Sequence, residues 1–404
     1  MNIAFLFHLY QPITQDELVV RKVMEESYAP LLKLLKSKKN VKFTFNIPLS
    51  LVQQLNAYGY NEWISQVKEL LEAGRLELVG SGAYHPLLSK LTAPLVTKEI
   101  ILNEYGLGYY FGRDTDFEGD PSILVRDLNG FFPPELAINK KVLKQLKELS
   151  YSWVLLDESA IPTSFNGKDG TRYGVYLDKD TELLLAVRNR TLSNVLSFKR
   201  DLDTKNLHDV FTSSSIIALD GEFFGHHYKE GIYLLDIFLE ELLDKKVQII
   251  SVGDYVYSER PVKLHDSILE SSWAASDADM VEANAYPRWD VKGNEVHKNL
   301  WKIVKNLMSS YKDDSYKKIE GFEAKPIWQD SILSAINDSK LTLDIKMLQA
   351  LHSDPFWWAS SESVKVPWMI ERGLELYKET ARLLGDAELE KLVSDSCDII
   401  SKEI

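Results

Sequence analysis

Short apolar runs alternate with longer segments of helical spacing from the start of the chain to about residue 260. Runs at 3–7, 41–45, 76–79, 153–156, 183–187, 216–219 and 247–250 have strand length and are rich in Ile, Val, Leu and Phe, as expected of strands covered on both faces. Between most of them, apolar residues recur with a helical period at 17–35, 62–72, 140–148 and 233–243, which predicts helices. This alternation is the pattern of a parallel α/β sheet or barrel, and seven strands favour a seven-stranded (β/α) barrel over an open sheet.

From about residue 261 the texture changes. Helical periodicity with aromatic punctuation at 296–307, 346–351 and 369–384 predicts a helical C-terminal domain, dividing the chain into 1–260 and 261–404. The stretches 277–289 and 311–323 read as loops or boundaries within it. A chain of 404 residues suits one barrel of about 250 residues with a smaller unit attached.

In a barrel, chemistry belongs just past the C-terminal ends of the strands. The run at 216–219 ends in Asp220-Gly221-Glu222-Phe223-Phe224-Gly225-His226-His227, two carboxylates and two histidines. If strand geometry persists, Asp220 and Glu222 share a face. The first run ends in His8-Leu9-Tyr10-Gln11-Pro12. The third carries Glu77 and is followed by Ser81-Gly82-Ala83-Tyr84-His85-Pro86. Gly130-Phe131-Phe132-Pro133-Pro134-Glu135 lies mid-chain, and the run near 187 ends in Arg188-Asn189-Arg190. Taken singly, His8 fits a core histidine, Glu77 a solvated charge and Glu135 an acid in the first turn of a helix. Their joint placement at strand ends fits a site better.

Composition narrows the chemistry. Lys+Arg 47 against Asp+Glu 60 gives a net charge of -13, which argues against nucleic acid and anionic membrane as partners. A single cysteine, Cys397, excludes an intramolecular disulfide and a cysteine-based metal cluster. The glycine-rich phosphate cradles of nucleotide-binding folds are absent. No stretch approaches the roughly 18 apolar residues of a membrane span, and the first residues lack the basic start of a secretion signal, so a cytoplasmic location is expected. Carboxylate chemistry on a sugar or a metal site remains. Paired carboxylates flanking a sugar bond, with aromatic platforms such as Asp354-Pro355-Phe356-Trp357-Trp358, fit a glycoside hydrolase, although Trp357 and Trp358 also fit a helical core.

The five segments resemble, in order and spacing, the five sequence regions of glycoside hydrolase family 57, whose members act on α-glucans and related α-glycosides. His8 to Pro12 is similar to the first region, Glu77 with Gly80 to Pro86 to the second, and Gly130 to Glu135 to the third. Asp220 to His227 is similar to the fourth, and Ser353 to Trp357 to the fifth. The resemblance implies a seven-stranded (β/α) barrel with a helical C-terminal domain, retention of anomeric configuration, and no required metal or other cofactor. It places Glu135 on the catalytic nucleophile and Asp220 on the general acid/base. His8, Tyr10, Gln11, Glu77, Phe132, Arg188, Glu222, His227, Trp273, Asp354 and Trp357 become the substrate-binding set, with an oligosaccharide or polysaccharide as partner.

Tyr10, Phe132 and His227 depart from the family pattern, which more often has His, Trp and Trp at these positions. The sugar bound beside the two carboxylates therefore need not be glucose. Hydrolysis of α-glucans or maltooligosaccharides is the leading expectation. A 4-α-glucanotransferase or another α-glycosidase such as an α-galactosidase fits the same residues. A metal-dependent polysaccharide deacetylase or mannosidase-like barrel, and a non-catalytic carbohydrate-binding relative, are the further alternatives.

Overall fold

The computed structural model describes residues 1–112, 128–165, 171–198, 213–311, 339–361 and 363–404. All seven predicted strands are present, at β1 (Asn2–His8), β2 (Phe43–Asn46), β3 (Leu76–Leu78), β5 (Trp153–Leu156), β7 (Leu184–Val187), β8 (Ser215–Asp220) and β9 (Gln248–Ile250). Three more join them: β4 (Gly130–Phe131), β6 (Gly174–Leu177) and β10 (Val262–Lys263).

The strands form two five-stranded sheets. One runs β3-β2-β1-β8, with β9 paired to the first residues of β1; the other runs β10-β6-β7-β5-β4. Every pairing is parallel except β6 with β7. A single parallel bridge from Gly80 to Phe131 links the sheets at one side, and Asn189 N–H donates to Ile216 O (2.8 Å) at the other. The architecture is an α/β fold built on parallel sheet. β1 shows why its run is continuously apolar: Ile3, Phe5 and Phe7 pack into one buried cluster, Ala4 and Leu6 into another on the opposite face.

The predicted helix at 17–35 exists but changes pitch. Asp16 caps Glu17–Val23, and a π-helical turn, Met24–Tyr28, interrupts before Ala29–Ser37. Such turns frequently sit at functional sites; here Ser27 Oγ donates to Gly221 O (2.8 Å) and Tyr28 OH to Glu222.

After β10 the chain is helical: Asp277–Val281, Glu295–Ser310, Ser339–Ala350, Asp354–Trp358, Pro367–Leu384 and Ala387–Glu403. The first of these corrects the loop expected at 277–289; Ser276 and Asp279 form a capping box that makes a short helix there. Beyond Tyr311, the loop expected at 311–323 lies outside the described residues. These helices bury Trp289, Leu300, Tyr377 and Cys397 together with Leu49, Tyr84 and Leu102 from the N-terminal part. Burial pushes the Cys397 thiol up to about 12, in keeping with a packing role. Among the described residues no helix is long and apolar enough to cross a membrane.

Candidate active site

His8 and Asp220 are the last residues of β1 and β8 and pair in register, so the sheet itself fixes their spacing. The strand ends at Asp220. Gly221–Phe223 is a 3₁₀ turn, so Glu222 reaches the same cleft from a turn, and not by the strand alternation expected of it. From the second sheet, β4 leads through Pro133 and Pro134 to Glu135, which sits in a left-handed conformation (φ 59°, ψ 16°). His85 is also left-handed (φ 60°). Such backbone in non-glycine residues costs on the order of 1–3 kcal/mol and clusters at functional sites.

The helical region closes the cleft. Ser353 N–H donates to His85 O (3.2 Å), and Pro86 bridges His352, which brings Asp354, Trp357 and Trp358 over the strand ends. The cleft holds about 540 Å³. Its lining includes Glu135, Asp220, His8, Tyr10, Gln11 and Arg188, and also Glu222, His227, Trp273, Asp354 and Trp357. The structure thus gathers all but two of the expected residues.

The two exceptions are Glu77 and Phe132. Glu77 lies within β3 and not past its end, and its carboxylate accepts from Thr44 Oγ1 (2.7 Å) and Gly253 N–H (3.0 Å) away from the cleft. Burial raises it to about 7. Phe132 is fully buried and stacks under His8 at 4.7 Å between ring centroids, so it supports the cleft floor without touching its contents. Sequence reasoning left out His85, Trp358 and Arg288, all of which line the cleft. His85 stood in the quoted second segment; its partner across the fold, Ser353, was the missing signal.

Four carboxylates, Glu135, Asp220, Glu222 and Asp354, line this cleft. Burial first, then the charges of Asp220 and Asp354, hold Glu135 well above the ordinary carboxylate range, against the pull of Trp273 Nε1–H, which donates to its Oε2 (2.7 Å). Asp220 opens to solvent through the cleft, yet the surrounding protein raises it to about 6, opposed by Arg188. Glu222 is raised as well, by burial and then by Asp220. It accepts from Tyr28 OH, from Gln11 Nε2 (3.2 Å) and from Tyr10 N–H (3.4 Å). Arg188 is aimed by buried Asp157, which accepts from its Nε (2.7 Å), while its Nη1 donates to Ala218 O (2.8 Å). Tyr10 OH donates to Asp354 Oδ2 (2.5 Å), which His352 Nδ1 also reaches (3.0 Å). Asp354, expected among the substrate-binding residues, is therefore already engaged within the fold. Among the described residues no group of three His, Cys, Asp or Glu side chains is arranged to hold a metal ion.

The turn that carries His226 and His227 depends on Gly225. It adopts φ 101°, and a Cβ there would lie 1.8 Å from Glu26 O, the residue whose carboxylate bonds His226 Nδ1 (2.6 Å). Gly225→Ala is expected to cost about 2 kcal/mol or more, seen as a lowered midpoint in thermal unfolding; an unchanged midpoint would show that this turn relaxes freely.

Carboxylates at strand ends, with indole and phenol rings across a cleft, define the class of carbohydrate-active α/β proteins. The chain belongs to glycosyl hydrolase family 57, whose family model matches residues 4–268. It is 24% identical over 274 residues to an alpha-amylase of Pyrococcus horikoshii, covering 65% of this chain and 41% of that protein. It is 21% identical over 278 residues to a 4-alpha-glucanotransferase of Thermococcus kodakarensis, covering 65% and 40%. The chain spans about two fifths of the length of these curated relatives. Among solved structures, a family 57 branching enzyme of Thermococcus kodakaraensis superposes with a TM-score of 0.70 at 14% identity, covering 98% of this chain and 94% of that one. At that identity the likeness shows the fold alone.

Proposed function

We propose that the protein is a retaining α-glycosidase acting on α-glucans or maltooligosaccharides by double displacement. Glu135 attacks the anomeric carbon while Asp220 protonates the leaving oxygen; Asp220 then takes a proton from water to release the sugar. The observation that carries this reading is the cleft itself, in which Glu135 and Asp220 come from opposite sheets, close enough for the charge of Asp220 to raise Glu135. Trp273, Trp357 and Tyr10 offer ring faces for a sugar, and Arg188 and Glu222 offer polar contacts. Names of relatives support both outcomes of the second step, since alpha-amylase and 4-alpha-glucanotransferase both occur among them. Transfer is the second reading, with a sugar hydroxyl in place of water.

Burial raises both Glu135 and Asp220 above the ordinary carboxylate range, and Glu135 also feels the charges of Asp220 and Asp354. A bound glycosidic oxygen accepts a hydrogen bond only from protonated Asp220, and the positive charge developing at the anomeric carbon favours ionised Glu135. Substrate binding thus drives the protonation states into working order.

We also read residues 1–260 as the catalytic unit and 261–404 as a helical unit that lends Asp354 and Trp357 to the cleft. On this reading β1, β2, β3, β4, β5, β7 and β8 close a barrel through the Gly80–Phe131 bridge and the Asn189–Ile216 hydrogen bond. The test is a panel of aryl α-glycosides followed by proton NMR of the first product. An α-anomer is expected; a β-anomer would sink double displacement. Longer oligosaccharides appearing from maltooligosaccharides would select transfer.

A further inference from the structure

A second cavity, of about 550 Å³, shares no lining residue with the active-site cleft. It runs along the helix Glu295–Ser310 and takes lysines from three places: Lys90, Lys292, and Lys298, Lys302 and Lys305 of the helix itself. Against these five cations stand two carboxylates, Asp290 and Glu295, so the lining carries +3 in a chain whose net charge is -13.

The two carboxylates are already used. Asp290 pairs with Lys90 (3.3 Å), which also lies 4.4 Å over the Tyr286 ring, and Glu295 pairs with Lys298 (3.1 Å). Among the described residues, Lys292, Lys302 and Lys305 have no carboxylate partner, and all three are exposed. Lys298, Lys302 and Lys305 follow one another at helical spacing, so their ammonium groups share a face over about 10 Å and repel one another. An anion between them would relieve that repulsion.

The cavity is poorly made for stacking a sugar. Trp301 lines it, but its ring packs against Phe356 at 4.3 Å between centroids and carries Lys90 at 5.7 Å, and its Nε1–H donates to Trp289 O (2.8 Å). The helix N-terminus is not the attraction either, because Asn294 caps it by accepting from His297 N–H (3.0 Å). A long polyanion would be repelled by the acidic remainder of the chain, whereas a cavity of this size suits a small molecule.

Three lining residues also hold the helix Asp354–Trp358, which presents Asp354 and Trp357 to the active-site cleft. Asn294 Nδ2 donates to Ala359 O (2.8 Å), and Trp301 packs on Phe356. His297 Nε2–H donates to Phe356 O (2.8 Å), with its proton fixed there because Nδ1 accepts from Val291 N–H (3.0 Å).

We propose that this cavity binds a small, multiply charged oxyanion of the phosphate class, and that its occupancy is linked to sugar binding through the Asp354–Trp358 helix. The link rests on the reading of the cleft as a sugar site; the anion site does not. An anion seated on Lys292, Lys302 and Lys305 steadies the helix from which His297 and Trp301 reach Phe356. Sugar then meets a wall that is already fixed, and by reciprocity each ligand tightens the other by the same factor.

The probes are inorganic pyrophosphate and a glucose bisphosphate, titrated calorimetrically into the full chain at about 0.15 M salt, where diffuse attraction is screened. One site per chain is expected, and whichever probe binds more tightly tells whether the sugar moiety is read. Lys302→Glu combined with Lys305→Glu should weaken binding by about tenfold or more. Lys391→Glu combined with Lys402→Glu, also exposed but on the last helix, should leave it unchanged. Absence of binding by both probes, or equal weakening by the two double variants, overturns the anion site. For the link, maltotriose is titrated into Glu135→Gln protein with and without saturating pyrophosphate, and about fivefold tighter binding is expected. Unchanged maltotriose affinity overturns the link. Failure of maltotriose to bind under either condition would instead remove the sugar-site reading and leave the anion site standing.

Discussion

Glu135→Gln is expected to cut turnover of an aryl α-glycoside by about 10⁴-fold or more while the variant still binds sugar. The amide keeps the shape of the carboxyl group and keeps an oxygen for the Trp273 indole N–H, but it cannot form the glycosyl ester. Glu135→Ala with added azide gives a sharper result. Azide enters from the face Glu135 vacates and the product is a β-glycosyl azide, inverted relative to substrate. An α-glycosyl azide, or turnover within about tenfold of wild type, would place the nucleophile elsewhere. The same substitution changes stability in a signed way. Glu135 has its folded pKa raised above the unfolded value, so its ionisation opposes the fold, and stability is lost as pH rises through the folded pKa. Gln cannot ionise. The variant should therefore unfold at a higher temperature than wild type, with the gap opening as pH rises above the ordinary carboxylate range, a trade of stability for activity familiar at strained, charged sites.

The strand pattern was legible because strands covered on both faces leave uninterrupted apolar runs, and β1, with alternate residues entering two different buried clusters, could hardly be read otherwise. β4, β6 and β10 escaped because two of them are only two residues long and the third is antiparallel. Asp220 could be placed from its run, since the last residue of a strand has only one place to point. Glu77 could not, because the run at 76–79 did not reveal that its carboxylate sits within the strand and turns toward Thr44 and Gly253. The left-handed backbone at Glu135 and Leu136 has no periodicity in the sequence to announce it. The Tyr10–Asp354 bond joins residues 344 positions apart. Only the folding of the helical region over the strand ends reveals it. That bond matters for specificity: Asp354 already accepts from Tyr10 and His352, which leaves it less capacity for sugar hydroxyls.

Removing Asp220 should leave a different signature, one that depends on the leaving group. Asp220→Asn is expected to lower kcat/KM by about 10²–10⁴-fold for a phenyl α-glycoside, whose leaving oxygen needs a proton, and far less for a dinitrophenyl α-glycoside, whose leaving oxygen does not. Azide should speed the variant and give an α-glycosyl azide, because the Glu135 ester still forms and is then displaced. The pH profile carries the sign. On the proposed mechanism Asp220 is protonated for the first step, and its carboxyl is raised to about 6, so kcat/KM of wild type on the phenyl substrate should fall as pH rises through that region. In Asp220→Asn that limb should vanish. Persistence of the limb would point to Glu222, whose carboxyl is also raised and lines the cleft. Geometry argues against that exchange: Glu222 is 7% exposed, with Tyr28, Gln11 and the Tyr10 backbone all donating to one of its oxygens. Asp220 faces open space at the end of β8, with Arg188 beside it to restore its charge once the proton has gone. A general acid must reach its oxygen and then remain ionised long enough to act as base, and of the two carboxylates only Asp220 is placed for both.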